Sequence, residues 1–155
     1  MKFKISYNTY GFILGIGLIF NCALAISIYQ KSSDIETYIN SFCKNQLNGK
    51  SFTRTELLFG LSKSDGSRVN EKEFQFFIDN EVTPLFPDGL TLLTGKGQFK
   101  NSRKIVVKEG SKLLILLYPF NSDSNRKIQQ IRQAYVKNFQ QESVLRVDEL
   151  SCVSF

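Results

Sequence analysis

From Gly11 to Tyr29 the chain carries no charge, and this run separates a short basic end, Lys2 and Lys4, from everything that can fold as a domain. With Asp34 and Glu36 following it, the positive-inside rule puts the amino terminus in the cytoplasm and the rest across a membrane. Three readings of the run are open, the weakest a lipoprotein site at Cys22, where Phe20 and Asn21 stand in place of the small residues such a site wants. As a signal peptide it has a basic n-region, an apolar h-region to about Phe20, and Ala23-Leu24-Ala25 as a small-x-small cleavage site that leaves Ile26 first. As a retained anchor it is just long enough, since a spanning helix needs roughly 17 to 25 residues. The organisation expected is therefore residues 1–29 as signal peptide or anchor, 30–52 as a polar tether and 53–155 as one domain, exported to the periplasm or exterior or held at the membrane there. Contact with a membrane is expected only through residues 11–29, if they are not cleaved.

The formal net charge is +6 and the chain holds no histidine. Without histidine, Ser-His-Asp, haem and most zinc arrangements lose their central residue, so no metal or cofactor is expected. Of the three cysteines, Cys22 lies in the apolar run, leaving Cys43 and Cys152 in a compartment where disulfides persist. A bridge between them is expected.

The tether should hold one short helix. Ser33-Asp34-Ile35-Glu36 has capping-box spacing, Ile35, Ile39 and Phe42 recur at helical intervals, and Asn48-Gly49 is a stop. Beyond it, Thr53 to Ser62 alternates as a strand. Asn70 caps a helix with Phe74, Phe77, Ile78, Val82 and Leu85 on one stripe, ending near Pro84. Gly89 to Phe99 begins a second strand and Gly95-Lys96-Gly97-Gln98 reads as a glycine bulge. Lys104 to Lys108 is a short extension, Glu109-Gly110 a turn, Lys112 to Phe120 a third strand, Arg126 to Gln140 a second helix, and Ser143 to Val147 the last main strand. Strand, helix, strand, strand, helix, strand is the split βαβ plan. The fold class expected is thus α+β, ferredoxin-like βαββαβ, with a four-stranded antiparallel sheet and two helices on one face, preceded by the signal or anchor helix. In that plan the last strand lies beside the first, which brings Cys152 toward the segment holding Cys43.

Several blocks carry a resemblance. Thr53-Arg54-Thr55-Glu56-Leu57-Leu58-Phe59-Gly60-Leu61-Ser62, Glu81-Val82-Thr83-Pro84-Leu85-Phe86-Pro87-Asp88-Gly89-Leu90-Thr91, Gly95-Lys96-Gly97-Gln98, Gln141-Glu142-Ser143-Val144-Leu145 and Cys152-Val153-Ser154-Phe155 resemble, in that order, the bacterial domain of unknown function numbered 3574. The resemblance implies a small exported or lipid-anchored protein and supplies no site residues.

Leu113 to Leu117 is apolar without alternation, so both sheet faces are covered there. Helices cover one. The other face, with Leu58, Leu93 and the even positions of the third strand such as Leu116 expected on it, calls for a cover: a second copy in a homodimer, or the tether helix from Ile35 to Leu47. By parity Arg54 and Glu56 share that face and Arg146 joins them from the last strand, a cluster suited to a small acidic or amphipathic ligand, or else a cross-strand salt bridge. Glu81, at the margin of the first helical stripe, and Glu56 are the carboxylates that could serve as a general base. The third strand has leucines where base-stacking aromatics would stand, so nucleic acid is set aside. Two functions remain: a non-catalytic envelope binding or interaction module, which is the reading preferred over catalysis, or a cofactor-independent enzyme using Glu81 or Glu56 beside an arginine.

Overall fold

The computed structural model describes residues 34–119 and 121–155. The run from Gly11 to Tyr29 lies outside them, as does Ser33 of the expected capping box; among the described residues no helix is long and apolar enough to cross a membrane. Two compact units divide the chain, Met1–Gly49 and Lys50–Phe155. In the first, helix α1 covers residues 34–47, and the Gly49 N–H donates to the Cys43 carbonyl at 2.9 Å to close it, with Asn48 at a left-handed φ of 48°. Ile35, Tyr38, Phe42 and Leu47 of α1 are exposed.

The second unit runs β1 (Lys50–Gly60), α2 (Glu71–Phe77), a π turn (Ile78–Val82), β2 (Thr91–Lys100), β3 (Val106–Tyr118), α3 (Ser122–Phe139) and β4 (Leu145–Val153). Its sheet has the order β2-β3-β1-β4 with every pair antiparallel, the split βαβ topology expected. Asn70 caps α2 through a reciprocal box with Glu73, and Asn121 caps α3, which starts at Ser122, four residues before the expected Arg126. The Thr83 N–H reaches back to Ile78 at 2.9 Å, the i to i−5 bond that makes the π turn. Pro84 has no N–H with which to continue the ladder.

Both helices pack on one face. Phe59 of β1 lies 5.7 Å and 5.8 Å, centroid to centroid, from Phe74 and Phe77 of the α2 segment and 4.5 Å from Tyr135 of α3. Leu57, Leu114, Leu116, Ile128 and Ile131 complete a fully buried core.

Register corrects the expected parity on β3. Leu58 stands opposite Leu113, Glu56 opposite Ile115 and Arg54 opposite Leu117, and residues directly opposite share a face. The odd positions therefore face outward, and Leu116, 1% exposed, belongs to the helix-side core. The run is unbroken because it serves both sides: Leu114 and Leu116 inward, Leu113, Ile115 and Leu117 outward.

Two glycine segments expected to interrupt the sheet do not. Strand β3 passes straight through Glu109-Gly110, and Gly95, Lys96 and Gly97 pair rung by rung with Ser111, Gly110 and Glu109, without a bulge. Glycine weakens a strand by lacking a side chain, but its main chain keeps the ladder when the partner strand is long enough to hold it. Strand β4 extends to Val153, which sets Cys152 opposite Ser51 at the start of β1. Cys43 and Cys152 are both disulfide-bonded.

Candidate functional site

The expected Arg54, Glu56 and Arg146 cluster divides between the two faces. On the open face Arg54 pairs with Glu56, two residues along its strand, and donates to Glu149 of β4 at 3.1 Å. One guanidinium thus answers two carboxylates, which leaves no free cation there for an acidic ligand. Arg146 stands opposite Leu57 and so points to the helix side. Its Nε lies 2.7 Å from Asp148, and its Nη1 donates to Asn125 at 2.7 Å. Asp148 also accepts from Thr55 at 2.6 Å; because a carboxylate only accepts, the Tyr118 hydroxyl, 2.6 Å from Thr55, donates to it in turn. Arg146 therefore ends a polar chain that ties β4 to the core. Glu81 sits in the π turn on the helix layer, across the sheet from Glu56. The carboxylates considered for catalysis do not meet.

The structure assembles a different site. At the Gly60 end of the open face a cavity of about 210 Å³ is walled by Leu58, Phe99 and Leu145 and rimmed by Ser111, Gln141 and Ser143. Glu109 stands at its base, 8% exposed, with Oε2 accepting from the Ser62 N–H at 2.7 Å. No other described group donates to its carboxylate, so Oε1 is left for the cavity. Gly60 makes this seat: a Cβ there would collide with the Glu109 carboxylate. On the other side of the sheet the Tyr135 hydroxyl donates to the Gly60 carbonyl at 2.8 Å. Burial, and then the charges of Glu109 and Glu73, push the Tyr135 phenol well above its ordinary value, so it remains a donor.

An anionic oxygen in a small apolar cavity favours a cation or a strong hydrogen-bond donor. The sequence does not flag Glu109, because Glu109-Gly110 has the composition of a turn. The available signal was the alternation of Val107, Glu109, Ser111 and Leu113, which continues the outward positions of β3.

Residues 54–155 match the family described as "Protein of unknown function (DUF3574)". The chain belongs to that family. The DUF3574 domain covers nearly all of the Lys50–Phe155 unit, so β1 from Arg54 onward, Gly60 and Glu109 fall within it. No curated protein matches the chain. Among solved structures, a phage SAM lyase in complex with S-methyl-5'-thioadenosine aligns with TM-score 0.55 and 17% identity over 69% of this chain and 92% of that one. The apo form of a phage SAM lyase aligns with TM-score 0.49 and 15% identity over 66% and 89%. At such identity the first likeness concerns the fold.

Proposed function

We propose that this DUF3574 protein is a non-catalytic binding module acting outside the cytoplasm, and that its ligand is small, amphipathic and cationic at the end that meets Glu109. The buried Glu109 carboxylate, seated over Gly60 with one oxygen toward an apolar cavity, is the observation that carries it. Export is supported by the uncharged run and by two disulfide-bonded cysteines. The acidic ligand drawn from Arg54 loses its support, because that guanidinium already faces Glu56 and Glu149.

A second reading has its own observation: a fold shared with a phage SAM lyase. SAM carries a sulfonium cation, the charge the Glu109 cavity favours, so one titration tests both readings. SAM is expected to bind more tightly than neutral S-methyl-5'-thioadenosine, and oleate not at all. Glu109→Gln should weaken SAM binding about ten- to a hundredfold, the worth of a charge pair about 6 to 10 Å apart at an effective dielectric of about 20, and Gly60→Ala, which displaces the carboxylate, should do the same. Calorimetry reads the affinities and chromatography the fate of the ligand. Intact SAM supports the binding module, release of S-methyl-5'-thioadenosine supports the enzyme, and tighter binding of oleate than of SAM rejects the cationic ligand.

We infer further that a second copy covers the open face. Four strands by about eight rungs give about 500 Å² per protomer, or about 1,000 Å² in a symmetric pair, where specific interfaces begin. Leu93, Leu117, Leu145 and Val147 are exposed on it. Since Leu58 and Leu145 also wall the Glu109 cavity, the second copy would roof the ligand site. Ile115→Lys should turn a dimer into a monomer in sedimentation velocity while leaving the core intact. A wild-type protein that stays monomeric at high concentration rejects the pairing.

A further inference from the structure

Strand β1 pairs with β3 only from Ser111 to Tyr118, so Val106 to Gly110 of β3 and Lys96 to Lys100 of β2 run on as a two-stranded ribbon beyond the four-stranded sheet. Five rungs at about 3.3 Å project it roughly 16 Å. Such a ribbon is marginal alone. Here its base is pinned by the Leu61 N–H, which donates to Gly110 at 3.0 Å, and its tip by Ser102, whose N–H and hydroxyl both donate to Glu142 at 3.3 Å and 3.0 Å. Within the tip the Ile105 N–H donates to the Asn101 side chain at 2.9 Å, and Lys104 takes a left-handed φ of 62°.

The composition of this ribbon is one-sided. From Gly95 to Lys108 it carries Lys96, Lys100, Arg103, Lys104 and Lys108 and no acidic residue. All five cations are exposed, and among the described residues none forms an ion pair. Phe99 walls the Glu109 cavity, but at the tip Ile105 and Val106 are 56% and 57% exposed, an apolar end no fold requirement explains. Cations alone would suit any polyanion; cations along a pinned arm that ends in exposed aliphatic side chains suit a surface with anionic headgroups over hydrocarbon.

We propose that the ribbon from Lys96 to Lys108 docks the domain on an anionic lipid surface, with the cations at the headgroups and Ile105 and Val106 entering the interface. This is independent of the ligand at Glu109. The chain has no tryptophan, so Ile105→Trp in the full-length protein is a single reporter, and the run from Gly11 to Tyr29 is the same in every sample. Its emission should shift to the blue on vesicles of phosphatidylglycerol and phosphatidylcholine, and not on phosphatidylcholine alone. The shift should vanish at about 1 M salt, where screening acts within about 3 Å. Each lysine changed to glutamine should raise the lipid concentration at half-shift about fivefold. An equal shift on neutral vesicles, no response to salt or charge, or a larger shift with duplex DNA would overturn the proposal. Should a charge variant lose its far-ultraviolet circular dichroism, the salt series on the unaltered ribbon decides.

Discussion

Replacing Cys43 with serine is expected to destabilise the domain by about 4 to 5 kcal/mol, provided that the bridge joins it to Cys152. A cross-link that closes a loop of about a hundred residues removes that much loop entropy from the unfolded chain in the chain-entropy model. Set against a total stability of about 5 to 15 kcal/mol for a domain, the loss is large. Both cysteines are disulfide-bonded, and β4 delivers Cys152 to the β1 end of the sheet, opposite Ser51. Non-reducing peptide mapping should recover one cross-linked peptide holding Cys43 and Cys152, and denaturant midpoints with and without reductant should separate by the stated amount. Free thiols at both positions, or coincident midpoints, would remove the bridge from the account. Cys152→Ser should cost as much as Cys43→Ser, and the double variant no more than either, because all three lose the same link.

That Cys152 reaches the start of β1 was legible because it depends on topology alone: element order fixes which strand lies beside the first. Topology was legible in turn because the stripe of Phe74, Phe77, Ile78 and Val82 and that of Ile128, Ile131, Tyr135 and Phe139 have helical spacing, and β1 alternates cleanly with its odd residues inward. Register was not. The Leu113 to Leu117 run is apolar at every position, so it carries no parity of its own, and a one-residue choice moves Leu116 from the core to the outer face. A separate parity error, in the pairing of β4 with β1, misplaced Arg146, which stands opposite Leu57 rather than beside Glu56. Glycines misled for another reason. Gly95, Gly97 and Gly110 lie in a ribbon whose main chain pairs without interruption, and reading them as punctuation concealed both the length of β3 and the seat of Glu109. What made Glu109 a candidate was a relation between strands, its carboxylate over Gly60, and no local pattern encodes that contact.

Phe59→Ala is expected to destabilise the domain by about 3 to 5 kcal/mol, the sum of lost apolar transfer and an unfilled cavity. Phe59 is fully buried at the point where the sheet meets both helices, with Phe74 and Phe77 on one helix and Tyr135 on the other within 4.5 to 5.8 Å of its ring. None of these neighbours can close the gap without leaving another, since Tyr135 also packs 4.7 Å from Phe139 and holds its hydroxyl on Gly60. For a domain of this size the loss should lower the melting temperature by on the order of 15 °C. The consequence reaches the site, because Phe59 adjoins Gly60 in β1: with the ring gone, Tyr135 is free to tilt and the Gly60 carbonyl loses its donor. Tyr135→Phe separates the two effects. It keeps the ring and removes the hydrogen bond, so it should cost only about 1 to 3 kcal/mol while loosening the seat of Glu109. Ligand affinity that falls in Tyr135→Phe as far as in Gly60→Ala would show that the cavity depends on the Gly60 backbone being held from behind. Unchanged affinity in Tyr135→Phe would show that Gly60 needs only the absence of a Cβ.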